Sequence, residues 1–350
     1  MTDDLNERYR SVLFAIIKSY ISSGEPIGSR AVVKNYNFGL SSATIRNIMA
    51  DLEDYGFLQH PHTSAGRVPT DYGFRLYVNK LHDSYKVSKV EIKKFVKRFS
   101  CDSQNEAVPN LMKEASRMLS SLSHCISFVS APKLKDIILK HINFIELNNN
   151  QVLIVFVSQS GIIQNKIVIV EEPVSQRALT RMSTFINHKF YGLSLEAIRK
   201  KIFELMEEEK NLYDQLLKKI FELSRQLLEE DKETQIYIEG KENLFSQPEF
   251  VVDIKKMKKI FAAFEKKSKI CALLDKCIQE EGLHVIIGQE NELEEMQDCS
   301  MIISTYKNDS NSLGTVGIIG PKRMAYSKLL TIVDCTAKVL TERIIMTSSF

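Results

Sequence analysis

Ser41-Ser-Ala-Thr-Ile-Arg-Asn-Ile-Met-Ala-Asp-Leu-Glu53 is the stretch whose reading decides the fold. On a helical wheel Ile45, Ile48, Met49 and Leu52 share one face, the spacing of a side packed inward. Ala43, Arg46, Asn47 and Ala50 share the opposite face, with no acid among them. Two short alanines allow a helix to approach a surface closely. In a major groove Arg46 can pair with guanine in bidentate fashion and Asn47 can read adenine. Ser41 and Ser42 open the helix, where hydroxyls and backbone N–H groups suit a phosphate. The acids Asp51, Glu53 and Asp54 fall at the far end, which is expected to point away from DNA.

The flanks complete the pattern. Upstream, Tyr9, Val12, Leu13, Ile16, Ile17, Tyr20 and Ile21 repeat at helical spacing over 5–23 and stop at Gly24. A second short helix is predicted from Ser29 to Tyr36, and the turn at 37–40 leads into the third, from Ser42 to Tyr55. Downstream, residues 57–60 and 67–69 read as two short strands around the turn His60-Pro-His-Thr-Ser-Ala-Gly-Arg67. Thr70 then caps a fourth helix carrying Phe74, Tyr77, Val78 and Leu81 on one side. Three helices followed by a two-stranded wing is the winged helix-turn-helix order. The wing turn contains no acid, so His62, Thr63, Ser64 and Arg67 are candidates for phosphate or minor-groove contact. A lone helix with this outer face would merely be solvated. The wing and the acid-free start of the third helix tip the reading toward nucleic acid. Residues 1–82 hold nine Lys/Arg and eight Asp/Glu, so the field there is polarised rather than strongly positive.

Bulk properties exclude other classes. The chain has 350 residues, enough for two or three domains, and a net charge of +3, too small to argue for nucleic acid by itself. The polar, acidic start lacks the blocks of a secretory signal. The longest apolar runs, such as 152–157, are far shorter than the roughly 20 residues of a membrane span. Cysteines at 101, 125, 271, 277, 299 and 335 form no CxxC pair, which fits packed thiols in a reducing cytoplasm rather than disulfides or structural zinc. His60 and His62 lack nearby acidic or thiol partners in sequence, so no metal is expected there, and no cofactor anywhere. No GxSxG, P-loop, HExxH or GxGxxG following a strand occurs, so the chain is not expected to be an enzyme. Cys125 beside His124 and Cys335 beside Asp334 sit within apolar patterns and read as core.

Beyond the fourth helix, 83–104 is a basic linker, with six basic residues against one acidic over 86–98. A helix is predicted over 105–122 and strands over 124–130, 138–147, 150–158 and 162–170. The stretch 175–233 turns helical, strands return at 283–287, 299–306 and 313–319, and a last helix runs over 325–346. The fold expected is α+β and multidomain. The winged helix (1–82) precedes an α+β domain (105–174 and 261–346) interrupted by a mostly helical insertion (175–260). A stripe of Ile198, Ile202, Leu205, Leu212, Leu216 and Ile220 marks either an intramolecular core helix or a dimer surface. A two-fold operator requires a two-fold protein, which favours the dimer.

Several long strings carry a resemblance. Pro26-Ile-Gly-Ser-Arg30, the stretch from Ser41 to Glu53, Pro61 through Arg75, and Gly314-Thr-Val-Gly-Ile-Ile-Gly-Pro-Lys-Arg-Met-Ala-Tyr326 resemble the HrcA heat-inducible transcription repressors. The resemblance spans most of the chain, with 175–260 similar only in kind. It implies a winged helix in which Arg30 joins the DNA-binding residues, a GAF-like α+β domain, and a dimerising domain inserted into it. It also implies repression of chaperone operons through an inverted-repeat operator, the CIRCE element, with a GroEL-type chaperonin promoting the active homodimer. The rival reading is a small-ligand-responsive regulator that uses the GAF-like domain as its sensor.

Overall fold

The computed structural model describes residues 5–61, 66–84, 108–131, 138–148, 150–159, 163–170, 173–208, 235–251, 253–265, 274, 282–308 and 311–348. The chain begins with α1 (Glu7–Ser23), α2 (Ser29–Asn35) and α3 (Ser42–Asp54), then the ribbon β1 (Leu58–Gln59) and β2 (Val68–Pro69), then α4 (Asp71–Ser84). There follow α5 (Val108–Ser123), β3 (Ile126–Ser130), β4 (Leu139–Asn148), β5 (Gln151–Ser158), β6 (Ile163–Ile169), α6 (Gln176–Lys189) and α7 (Leu195–Glu208). The last part comprises β7 (Ile236–Glu239), the short helices α8 (Pro248–Val251) and α9 (Ile254–Glu265), strands β8 (Leu283–Ile287), β9 (Cys299–Asn308) and β10 (Asn311–Pro321), and the long α10 (Tyr326–Ser348).

The N-terminal elements match the expected order because each end has its own signal. Gly24 takes a left-handed φ of 75° and closes α1, while Ser41 caps α3 by accepting from the Thr44 N–H at 3.1 Å. Ile45, Ile48, Met49 and Leu52 of α3 are buried in one cluster with Val12, Leu13, Ile16 and Ile17 of α1. The chain before α2 is tied to the ribbon: Ile27 and Arg67 exchange two backbone hydrogen bonds of 2.9 Å. Thr70 caps α4 by accepting from the Gly73 N–H at 3.1 Å, and its hydroxyl donates to the Gly56 carbonyl at 2.7 Å.

The central domain is built on a five-stranded antiparallel sheet in the order β7-β3-β10-β9-β8. Both faces are covered. Ile126, Phe128, Met301, Ile303 and Ile319 pack in a cluster with Phe250 of α8 and Ile260 of α9. Val129, Ile302, Tyr306, Val316 and Ile318 join the larger cluster that contains residues of α5 and α10. Gly317 sits opposite Phe128, and a Cβ there would lie 2.4 Å from its ring, so glycine is what admits the aromatic side chain. Deep between β3 and β10 the polar groups are paired. The Thr315 N–H donates to Ser130 Oγ at 2.8 Å, and the Tyr306 hydroxyl donates to the Ser130 carbonyl at 2.5 Å.

Strand pairing corrects the expected grouping. The strands at 139–169 were expected to share a domain with those at 283–319; they form a separate antiparallel sheet, β4-β5-β6. Conversely, β7 lies in the stretch assigned to a mostly helical insertion, yet it completes the five-stranded sheet beside β3. Between β3 and β7 the chain thus forms the sheet β4-β5-β6 with α6 and α7. Alternation of apolar residues reveals a strand but not its partner, and short hairpins let β4, β5 and β6 pair among themselves.

Helix α6 covers the free edge of β4. Asn187 accepts from the Ile142 N–H at 2.7 Å and donates to the Ile142 carbonyl at 2.9 Å. Ser183 Oγ accepts from the Phe144 N–H at 3.1 Å, and Gln176 accepts from the Glu146 N–H at 2.7 Å. These three polar residues recur along one helix face and replace a neighbouring strand, which blunts an edge that would otherwise invite another chain. Ile198 and Ile202 of α7 are 2% and 0% exposed in the chain's own core, so these two do not supply the dimer surface expected of them. Nothing is described of the Leu205 side chain, and Leu212, Leu216 and Ile220 lie outside the described residues, as does most of the basic linker.

The winged-helix part docks on the central domain through α1 and α4. Arg75 donates from Nη2 to the Val285 carbonyl at 2.6 Å and pairs with both Glu290 oxygens. Asp71 accepts from the Gln289 N–H at 3.1 Å and pairs with Lys322 at 2.7 Å. Arg323 donates to the Ile21 carbonyl at 2.9 Å and pairs with Glu249. Inside this polar ring Phe74 meets Tyr326, ring centroids 6.0 Å apart.

Gly73 tests the packing of α4 on the wing. Alanine has the better helix propensity by about 1 kcal/mol. A Cβ at Gly73, however, would stand 2.4 Å from the Phe57 carbonyl oxygen, which is backbone and cannot swing aside. Gly73→Ala is expected to destabilise the protein by about 1–3 kcal/mol, the usual cost of overpacking, measured by chemical denaturation. An unchanged or raised stability would show that α4 shifts freely.

Candidate nucleic-acid interface

The wheel drawn from sequence becomes a surface. Ala43, Arg46 and Asn47 are exposed and Ala50 half-buried, while the opposite side of α3 is packed against α1. Arg30 on α2 is exposed as well. The docking contacts engage α1 and α4, so they leave the outer face of α3 open.

At its start, α3 is locally fastened. Ser41 Oγ holds the cap and lies 2.9 Å from the Thr44 hydroxyl, and Ser42 Oγ lies 3.1 Å from Ser29 Oγ at the start of α2. The Ser29–Ser42 pair thus ties the start of α2 to the start of α3. Ser41 remains exposed and Ser42 half-buried, so both still border the same surface.

At the far end the acids turn inward. The Tyr9 hydroxyl donates to Asp51 at 2.7 Å, a bond to a carboxylate that raises the tyrosine pKa. Glu53 accepts from His60 Nδ1 at 2.6 Å and pairs with Arg67 Nη2 at 2.7 Å. Only Asp54 of the three is exposed without a pair among the described residues. Exposed charge on α3 is therefore positive at Arg46, while at its C-terminal end Asp51 and Glu53 are bonded and Asp54 alone faces solvent.

Arg67 departs from expectation. Its side chain is 17% exposed, and its Nε is buried with no acceptor among the described residues. Arg67 directly precedes β2, its backbone bridges Ile27, and its guanidinium lies against Glu53 in the last turn of α3 rather than facing outward. His62, Thr63 and Ser64 lie outside the described residues. Sequence reasoning missed Glu53, His60 and Ser29. The signal was present for the first two: an acid in the last turn of the third helix, and a basic group at each end of the wing turn.

The two cysteines that the sequence set beside His124 and Asp334 are core residues. Cys125, Cys299 and Cys335 are buried and form no disulfide, and burial pushes the Cys125 and Cys299 thiols up to about 12. A thiol held protonated is a poor nucleophile. Among the described residues no helix is long and apolar enough to cross a membrane.

Comparison with known proteins agrees with these features. Residues 109–330 match the family described as HrcA protein C terminal domain. The chain is 43% identical over 338 residues to the heat-inducible transcription repressor HrcA of Geobacter sulfurreducens, covering 97% of this chain and 98% of that protein. It is 37% identical over 343 residues to the repressor of the same name from Syntrophobacter fumaroxidans, covering 97% of each. A crystal structure of a hypothetical protein at 2.2 Å resolution superposes with a TM-score of 0.63 at 20% identity, covering 98% of this chain and all of that one, a likeness of fold. On this evidence the chain belongs to the HrcA family of heat-inducible transcription repressors.

Proposed function

We propose that this repressor reads an inverted-repeat operator of CIRCE type at chaperone operons in the cytoplasm, laying α3 of each protomer in a major groove. The observation that carries the proposal is the division of α3. Four apolar residues are fully packed, and on the other side Arg46 and Asn47 stand exposed between two alanines. Such a face has the groove-reading chemistry and the clearance for close approach. Arg30, Ser41 and Ser42 border it and suit phosphates, which fix register without reading sequence. The wing residues His62, Thr63 and Ser64 are assigned the same backbone role from sequence.

The dimer that such an operator needs is assigned to the outer face of the β4-β5-β6 sheet. Ile145, Leu153 and Ile167 lie directly opposite one another across the three strands, and Val157 opposes Ile163. Ile163, Ile167 and Ile169 are 66%, 56% and 67% exposed, an unusual density of bare isoleucine. With the β4 edge already covered by α6, a second copy has the face to bind. The five-stranded domain is read as GAF-like. The dependence on a GroEL-type chaperonin fits its topology. β3 cannot be sealed until β10 arrives, and Ser130 and Thr315 are 185 residues apart. Pairings of that range form slowly and leave apolar strands open meanwhile.

Two measurements test this reading. Arg46→Ala and Asn47→Ala are each expected to remove roughly 1–3 kcal/mol of discrimination between the operator and a scrambled duplex, with non-specific binding little changed in fluorescence anisotropy. Equal losses on both duplexes would make these residues phosphate contacts only. Ile167→Glu is expected to give folded monomers in sedimentation and to weaken operator binding by about 10²–10⁴-fold, because two tethered half-sites lose their effective concentration. A dimer that survives this substitution moves the interface elsewhere.

A further inference from the structure

We infer that Glu53 is a positioning residue for DNA reading: its single carboxylate fastens both arms of the wing to the last turn of α3. The inference rests on the proposal that α3 enters the groove, and it adds how the wing is held beside that helix. Oε1 of Glu53 accepts from His60 Nδ1 at 2.6 Å, at the residue directly after β1. Oε2 pairs with Arg67 Nη2 at 2.7 Å, at the residue directly before β2. The two ends of the wing turn therefore meet at one side chain of the recognition helix.

The ribbon needs such a fastener. Its ladder has two residue pairs, Leu58 with Pro69 and Gln59 with Val68, and proline has no N–H to give. So short a hairpin cannot hold its own direction in water. The Ile27–Arg67 backbone bridge supplies a second tie, and the chain comes so close there that a Cβ at Gly66 would stand 2.5 Å from the Ile27 backbone. Arg67 is turned inward, with its Nε buried, which is the posture of a strut and not of a phosphate ligand. Charge-assisted bonds from two bases on one half-buried carboxylate hold direction better than an isolated surface pair does. A reading head of helix plus wing requires that fixed geometry, since loosely supported contact residues lose their selectivity.

The test compares the full chain with Glu53→Gln and with the charge-swapped double variant Glu53→Arg/Arg67→Glu. Hydrogen exchange is followed at Leu58, Gln59 and Val68, and anisotropy on an inverted-repeat duplex and a scrambled one. Glu53→Gln is expected to speed exchange in the ribbon while α1 stays protected. It should lower the preference for the inverted repeat about tenfold, the size of one poorly made base contact, with the scrambled duplex bound equally or more tightly as a negative charge is lost. The swap should restore much of both. Unchanged ribbon exchange would overturn the clamp. So would loss of protection throughout α1, which would make Glu53 a general stability residue. A swap that rescues neither readout, together with a salt slope lower by about one for the single variant Arg67→Ala, would return Arg67 to a phosphate. Wild-type protein that cannot tell the duplexes apart would instead overturn the groove-reading proposal, leaving the exchange arm to judge the clamp.

Discussion

On the proposed reading the structure depends on one constraint: a helix that enters a groove must be held entirely by its other side. Helix α3 meets it with Ile45, Ile48, Met49 and Leu52, all buried against α1, so that the outer residues have no structural duty. Its acids would spoil the approach of a polyanion if they faced outward. Asp51 is bound to Tyr9 and Glu53 to His60 and Arg67, and both contacts stabilise the unit while they quench charge. Folding and recognition thus pull in the same direction here, as expected where local chemistry and global fold agree.

The remainder of the molecule positions that head. Two of the strings that mark the family, Thr70 to Arg75 and Gly314 to Tyr326, lie far apart in sequence yet meet at the dock, where Asp71 pairs with Lys322 and Phe74 meets Tyr326. Because the dock uses α1 and α4, the orientation of α3 is set by the central domain without obstructing it. The five-stranded sheet in turn depends on β3, a short strand flanked on both sides by strands that arrive much later in the chain. The buried Ser130 hydroxyl finds its partners only when β10 is in place, since it accepts from the Thr315 N–H and lies against the Thr315 hydroxyl.

Much of this was legible in the residues. The first four helices, the wing and the inward and outward faces of α3 follow from spacing, Gly24, Gly56 and the Ser41 and Thr70 caps, because such signals are local. The strands were legible as strands, for the same reason. Their partners were not, since β4 to β6 alternate apolar residues just as a larger sheet would, and β7 has only four residues between helical stretches. The stripe beginning at Ile198 showed that one face is apolar but not what covers it, and for Ile198 and Ile202 the cover is the chain itself. Arg67 was read outward because basic wing residues suit phosphate. Only three dimensions bring Glu53 to it, across fourteen positions of chain.

The claim that everything serves is that the outer face of α3 lies in the major groove at two symmetric sites. Site-specific photo-crosslinking from p-benzoylphenylalanine placed at the exposed Ala43 tests it most directly on an operator duplex. Adducts are predicted on major-groove base edges in two symmetric clusters, separated by one helical turn, about 34–36 Å, or a multiple of it. Adducts scattered along the duplex without symmetry, or confined to the minor groove, would contradict it.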